Sequence, residues 1–155
     1  MRVSQEILQA IPHRDPFLMI DTFVAQGDDF IECEKTFTGE EFFFAGHYPE
    51  YPLVPGVLLC EAAMQTGAVW IARAFGNMLR SDDSQSHYIP VATRMNDVRF
   101  RRMVRPGETI HVRCELVERL KQAFFMRAKV TVDKEVAVRL EFACAAVEEN
   151  EKRGL

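Results

Sequence analysis

Two titratable residues stand in unusually apolar parts of the sequence. His47 lies in a loop that glycine and proline residues make stiff, and Glu61 lies near the start of a long apolar stretch. A carboxylate in such surroundings is costly unless it is hydrogen-bonded or paired. Titratable groups of this kind are how active sites obtain an acid and a base near neutral pH. The two residues therefore indicate acid–base catalysis.

Gly56 supplies a third candidate group. It follows Pro55 and stands at the N-terminus of a predicted helix, where backbone N–H groups lack partners within the helix. Because glycine has no side chain, this N–H is open to a ligand, and the helix dipole favours negative charge there. A glutamate near a helix N-terminus or a histidine in a loop often has only a structural role. The combination with Gly56 favours a catalytic site.

One long helix is predicted to position these groups. Val57–Leu79 contains no proline, and its only charged residues are Glu61 and Arg73. A helix that is apolar on nearly all sides must be surrounded by protein. A second, short helix is predicted to begin at a Ser4 cap and to end before Pro12.

Five or six antiparallel strands are predicted from alternating apolar and polar residues. They cover Phe17–Gln26, Phe30–Thr38, Tyr88–Phe100 with an interruption near Pro90, and three runs near 110–117, 124–132 and 136–144. Turns are expected at 105–108 and 133–134, and loops at 39–55 and 81–87. This inventory predicts an α+β fold in which a curved antiparallel sheet wraps around one long central helix. One edge strand would stay open, and edge pairing between two copies predicts at least a dimer.

Composition limits the class of protein further. The 155 residues suit one domain, 1–155, and 48% hydrophobic with 27% charged residues excludes a disordered chain. A net charge of -4 makes chain-wide binding to nucleic acid unlikely on electrostatic grounds. The apolar stretch carries polar and charged residues, and no secretory signal is recognised, so neither membrane insertion nor export is expected. The four cysteines form no C-x-x-C pair, which predicts buried thiols in a reduced, cytoplasmic protein.

Several motifs resemble those of a known family, the FabZ-type 3-hydroxyacyl-[acyl-carrier-protein] dehydratases, which have the hot-dog fold. The resemblance covers nearly the whole chain. Its motifs are Ile11–Leu18 (IPHRDPFL), Gly46–Pro49 (GHYP), Pro55–Val57 (PGV), Glu61–Ala62 with Gln65, Val98–Arg102 (VRFRR) and Arg105–Gly107 (RPG). The related isomerising dehydratases carry aspartate where Glu61 stands, so the match favours the non-isomerising branch.

The resemblance implies a role for each matching residue. His47 would remove the C2 proton of a 3-hydroxyacyl thioester, and Glu61 would assist loss of the C3 hydroxyl as water. The Gly56 N–H would bind the thioester carbonyl, and Gln65 would orient the Glu61 carboxylate beside the substrate. The family uses no metal and no organic cofactor. Its histidine and glutamate meet across a homodimer interface, and three dimers commonly form a hexamer.

An arginine-rich segment is a candidate docking surface for the acyl carrier protein. Arginines crowd the segment 94–105, which has a single acid, Asp97. The alternative is an ordinary solvated strand end. The residues expected to contact an acidic carrier are Arg99, Arg101, Arg102 and Arg105.

Other features leave alternatives open. The family usually has Gly-Asn where Glu50-Tyr51 stands here, and Gly-Ile-Asp-Lys where 94–97 reads Arg-Met-Asn-Asp. These departures bear on the acyl tunnel and its mouth, and the acyl chain length stays open. A hot-dog acyl thioesterase and a specialised or non-catalytic acyl-binding paralogue are the rival functions.

Six apolar residues could either line an acyl tunnel or pack in the core, and the sequence leaves both alternatives open: Phe42, Phe43, Phe44, Met64, Met95 and Met126. His13 is expected to be structural, His87 to lie in a loop and His111 on a strand's polar face.

Overall fold

The structure, a computed structural model, describes residues 3–76 and 88–148. These residues form two helices and six strands. Their bounds are α1 Gln5–Ala10, β1 Thr22–Gln26, β2 Phe30–Thr36, α2 Gly56–Phe75, β3 Tyr88–Phe100, β4 Thr109–Leu120, β5 Ala123–Val132 and β6 Glu135–Glu148. The strands form one sheet in the order β1-β2-β4-β5-β6-β3, and all neighbours are antiparallel. The prediction of an α+β fold with an antiparallel sheet around one long helix is confirmed.

Helix α2 lies against one face of the sheet and packs against strands β2 to β6. Pro55 precedes it with φ −55°, a value that suits entry into a helix. Because the sheet surrounds it, most side chains from Leu59 to Ile71 are buried, including Trp70. The helix begins one residue before the predicted Val57. Its predicted end at Leu79 and the predicted loop 81–87, with His87, lie outside the described residues.

The predicted turns join the strands as expected. At the β5–β6 hairpin, Asp133 and Lys134 have φ of 49° and 70°, which makes the two-residue turn whose twist matches antiparallel strands. Before β4, the Glu108 N–H donates to the Arg105 carbonyl at 3.2 Å, and Gly107 has φ 87°. Glycine adopts this left-handed conformation without steric strain because it has no Cβ.

The first two strands are shorter than predicted. The segment before Thr22 is not a strand, because the Met19 N–H donates to the Gln65 Oε1 at 2.8 Å instead of to a neighbouring strand. Strand β2 ends at Thr36 because the Thr38 N–H donates to the Glu41 side chain at 2.9 Å and the chain turns away from the sheet.

Two further local predictions are wrong in detail. The short helix α1 forms where predicted, but Ser4 does not cap it, because its Oγ accepts from the Phe23 N–H at 3.0 Å. The interruption of β3 is not at Pro90, which pairs with Ala146. It occurs as two register shifts, between Ala92 and Arg94 and between Asn96 and Arg99.

The cysteines are buried and free, as predicted. Burial raises the pKa of the Cys33 and Cys144 thiols to about 12, and it raises the pKa of the Cys114 thiol as well. Since the thiolate is the nucleophilic form, these cysteines are inert at neutral pH. Among the described residues, no helix is both long and apolar enough to cross a bilayer.

A substitution at Gly67 would show how tightly α2 packs against the sheet. A Cβ at this position would lie 2.7 Å from the Phe142 Cζ and 2.9 Å from the Met126 Sδ, and both side chains are buried. Overpacking costs about 1–3 kcal/mol, against a gain of about 1 kcal/mol in helix propensity, so Gly67→Ala should lower the free energy of unfolding by up to about 2 kcal/mol in urea titrations. Gly46→Ala is the control, since no atom lies within 4 Å of its added Cβ. A Gly67→Ala variant more stable than the wild type would contradict this packing.

Candidate active site

A hydrogen bond fixes the His47 imidazole in its loop. The loop turns at Phe43, whose carbonyl accepts from the His47 N–H at 2.9 Å, and Tyr48 follows with φ 51°. The His47 Nδ1 lies 3.0 Å from the Leu53 carbonyl oxygen. A carbonyl only accepts, so Nδ1 carries the proton in the neutral ring and Nε2 keeps its lone pair. This is the tautomer that a general base requires.

His47 and Gly56 line the same cavity, which has a volume of about 780 Å³. Apolar side chains from the start of α2 and from the segment after β3 form most of its wall, together with arginines. Within the described part of the chain, the Gly56 N–H has no hydrogen-bond partner. A Cβ on Gly56 would lie 2.7 Å from the Phe100 ring, so glycine permits this close packing. The cavity thus combines an imidazole base with a free N–H at a helix N-terminus.

Glu61 lies elsewhere on α2. It follows Gly56 by five residues, which on a helix is a rotation of roughly 140°, and it does not line the His47 cavity. Its Oε1 accepts a hydrogen bond from the Gln65 Nε2 at 3.0 Å. The expected pairing of Glu61 with Gln65 is present, but one chain does not bring Glu61 to His47.

Gln65 holds the carboxylate in place and is itself held by the backbone. It is 1% exposed. Its Oε1 accepts from the Met19 N–H at 2.8 Å, and its Nε2 donates to the Phe17 carbonyl at 2.9 Å as well as to Glu61. Because the amide is fixed at both ends, its N–H points at the carboxylate in one orientation only.

His13, which was expected from the sequence to be structural, lies near the Glu61 carboxylate. Its Nε2 lies 3.7 Å from the Glu61 Oε1, and its Nδ1 is buried without a hydrogen-bond partner among the described residues. The hydrogen bond from Gln65 to the Phe17 carbonyl holds the segment that follows His13 and so keeps His13 near Glu61. The one sequence signal was its place in the motif Ile11–Leu18.

The candidate tunnel residues divide between core and surface. Phe43, Phe44 and Met126 are buried in the core, whereas Phe42 and Met95 are exposed. None of the six lines the cavity of His47.

The arginines of 94–105 are not equivalent. Arg102 is bound by Glu108 and Glu135, and its hydrogen bond lowers the pKa of the Glu108 carboxyl. Arg105 donates to the Tyr51 hydroxyl and lies over its ring, with the guanidinium 5.3 Å from the ring centroid. Arg99 pairs with Asp97 at 3.4 Å, and the Arg101 side chain has no polar partner in the described residues. The described residues contain no group of three or more His, Cys, Asp or Glu that could hold a metal ion.

The chain resembles known proteins in both sequence and structure. A FabA-like domain model matches residues 11–141. The 3-hydroxyacyl-[acyl-carrier-protein] dehydratase FabZ of Albidiferax ferrireducens is 39% identical over 142 residues, covering 90% of this chain and 91% of the relative. FabZ of Petrotoga mobilis is 31% identical over 137 residues, covering 88% of this chain and 92% of the relative.

Two solved structures show the fold. A chain of the dehydratase heterocomplex ApeI:P from Xenorhabdus doucetiae superposes with a TM-score of 0.75 at 14% identity, covering 94% of this chain and 93% of the other. Thioesterase HI1161 from Haemophilus influenzae has a TM-score of 0.67 at 12% identity, covering 99% and 96%. Both likenesses confirm the hot-dog fold. Since a dehydratase and a thioesterase share it, the fold does not choose between those reactions.

The amide of Gln65 can be tested apart from catalysis. Gln65→Leu leaves the Met19 N–H and the Phe17 carbonyl without their partner. Each unsatisfied group costs about 1–3 kcal/mol, so the free energy of unfolding should fall by about 2–6 kcal/mol in chemical denaturation. Gln26→Leu is the matched control, because the half-buried Gln26 side chain bonds only Arg73 among the described residues and its loss should cost less than about 0.5 kcal/mol. If both variants lose the same stability, the hydrogen bonds of the Gln65 amide to Met19 and Phe17 contribute nothing specific to stability.

Proposed function

Because the chain belongs to the FabA-like family and, within it, to the FabZ-type 3-hydroxyacyl-[acyl-carrier-protein] dehydratases, we propose that it dehydrates 3-hydroxyacyl-[acyl-carrier-protein] to the trans-2-enoyl thioester in fatty acid biosynthesis. The observation that carries this proposal is the cavity shared by His47 and the free Gly56 N–H. No metal or organic cofactor takes part in the proposed reaction.

The proposed mechanism uses one base, one oxyanion donor and one acid. The His47 Nε2 removes the C2 proton of the thioester, since Nδ1 is engaged by Leu53. Negative charge then develops on the thioester oxygen, where the Gly56 N–H donates to it. Glu61 delivers a proton to the C3 hydroxyl, directly or through a water molecule. The C3–O bond breaks, water leaves, and the electron pair from C2 forms the double bond.

The Glu61 of each site comes from a second copy in this proposal. Gly56 and Glu61 lie on different sides of α2, so His47 of one chain needs the carboxylate of its partner. Two features support such a dimer. Large apolar residues are exposed around the His47 cavity, among them Tyr48 at 62%, Val57 at 65% and Phe100 at 55%. Strand β3 is also a sheet edge, open to pairing with a second β3. A trimer of such dimers would be the hexamer.

The arginines near the cavity are the proposed docking residues for the carrier protein. Arg101, Arg102 and Arg105 line the same cavity as His47, and Arg99 precedes them along the chain. Since Glu108 and Glu135 already neutralise Arg102, Arg101 is the arginine of this set most available to an acidic partner. The departure at Glu50-Tyr51 bears on the same mouth, because Tyr51 accepts from Arg105.

Turnover of a carrier-bound 3-hydroxyacyl substrate tests the reaction. The wild type should form enoyl thioester without releasing free thiol, while His47→Ala and Glu61→Gln should each lose at least about 100-fold in kcat, as expected for loss of a general base or acid. His111→Ala, on the outer face of β4, is the control and should keep its activity. Release of free thiol would identify a thioesterase, and normal turnover by either site variant would refute these roles.

Mixing the two inactive variants tests the shared site. A mixed dimer of His47→Ala and Glu61→Gln chains has one site in which both residues are intact. With random pairing and two-fold symmetry, about one quarter of wild-type activity should return after the subunits are exchanged. If both residues acted within one chain, no mixture would regain activity.

His13 is a positioning residue in this proposal. It lies 3.7 Å from the Glu61 carboxylate and does not line the cavity with His47. His13→Ala should lower kcat by about tenfold with little change in KM, and His13→Gln, which keeps an N–H donor, should restore part of it. Equal kcat in the alanine and glutamine variants would show that His13 acts only on folding.

A further inference from the structure

Four cations lie directly opposite one another across four neighbouring strands. In the strand register, Arg113 of β4 lies opposite Lys129 of β5, and Lys129 lies opposite Arg139 of β6. Arg139 in turn lies opposite Arg99 of β3. Cross-strand partners project from the same face of a sheet. All four line one shallow groove of about 470 Å³ on the face that points away from α2. We call these four residues the cation row.

The next row of the same sheet shows the usual arrangement. There Glu115, Arg127 and Glu141 are successive partners, and their charges alternate in sign. Like charges directly opposite are destabilising, so the cation row opposes folding where its neighbour supports it. The row is also unexpected in a chain of net charge -4.

The centre of the row has free charge. Arg113 pairs with Glu32 and Glu115, and Arg99 pairs with Asp97. Among the described residues, the side chains of Lys129 and Arg139 have no hydrogen bond or ion pair. Both are exposed. An acidic partner could therefore bind Lys129 and Arg139 without breaking an existing salt bridge.

The spacing of the row matches that of a helix. Adjacent strands are about 4.8 Å apart, so the row extends over about 14 Å. A helix that crosses the strands advances about 5.4 Å per turn, which presents about one side chain of its facing side to each strand. Carboxylates three or four residues apart on an acidic helix would thus each face one cation. A single phosphate or pyrophosphate group is too short to reach along the row.

The groove and the cavity of the proposed active site share one lining residue. Arg101 lines both the groove and the cavity that holds His47 and Gly56. A partner seated on the row would therefore extend to the mouth through which a tethered acyl group enters. We propose that the cation row is the docking surface for an acidic helix of the carrier protein, an inference that rests on the proposed function and places most of the contact beyond the segment 94–105.

Charge reversal in the centre of the row tests this proposal. The double variant Lys129→Glu, Arg139→Glu should raise KM for the carrier-bound substrate by about tenfold or more, with kcat and turnover of a short pantetheine thioester within about twofold of wild type. The matched control is Lys121→Glu, Lys134→Glu, which changes the net charge equally at exposed turn residues and should leave both substrates unaffected. Lys129→Gln, Arg139→Gln gives an intermediate KM and serves if the reversal disturbs folding.

Each other outcome overturns the docking proposal in a distinct way. An unchanged KM for the carrier-bound substrate removes the row from docking while leaving the dehydratase function intact. Equal loss on both substrates shows damage to the site itself. A changed sedimentation mass with unchanged KM identifies a contact between copies of this chain, and competition by inorganic pyrophosphate that the variants abolish, without a KM effect, identifies a small-anion site. Absence of turnover in the wild type would instead refute the proposed function.

Discussion

The hydrogen bonds of one buried amide hold together the parts of the chain on which the candidate site depends. Gln65 binds the backbone at Phe17 and Met19 and the carboxylate of Glu61. It therefore joins the segment before β1 to the central helix and orients the Glu61 carboxylate at the same time. A buried amide of this kind is stabilising only when both of its ends are satisfied, because each unpaired group would carry its full desolvation cost. The same bonds bring His13 beside Glu61, so local structure and the geometry of the carboxylate are coupled.

The surrounding sheet determines where chemistry can occur on α2. Strands β2 to β6 cover the middle of the helix, and its N-terminus extends to the cavity lined by the 39–55 loop. Only at that end are backbone N–H groups free, and only there does glycine allow the Phe100 ring to approach. The Leu53 carbonyl, two residues before Pro55, fixes the tautomer of His47. An imidazole and a free backbone N–H therefore come from adjacent parts of one short segment.

The sequence predicted the features that depend on local chemistry. Alternation located β4, β5 and β6, the Asp133-Lys134 pair predicted its hairpin turn, and the lack of charge in α2 predicted a surrounded helix. It failed where a distant side chain takes a backbone partner. The Gln65 amide ends the extended segment before β1, Glu41 ends β2, and Ser4 turns away from its helix toward Phe23. The cation row was also missed, because its members come from four strands and only the register places them side by side.

The position of Glu61 relative to Gly56 has a consequence for assembly. One chain has the His47 imidazole with the free Gly56 N–H on one side of α2, and the Glu61 carboxylate, hydrogen-bonded to Gln65, on another. A two-fold axis repeats both halves, so any arrangement that brings one chain's carboxylate to its partner's imidazole completes a second site as well. The apolar side chains exposed around the cavity are the surface that such an arrangement would bury. If the proposed function holds, the chemistry would require dimerisation, because Glu61 of one chain does not line the cavity that contains His47 and Gly56.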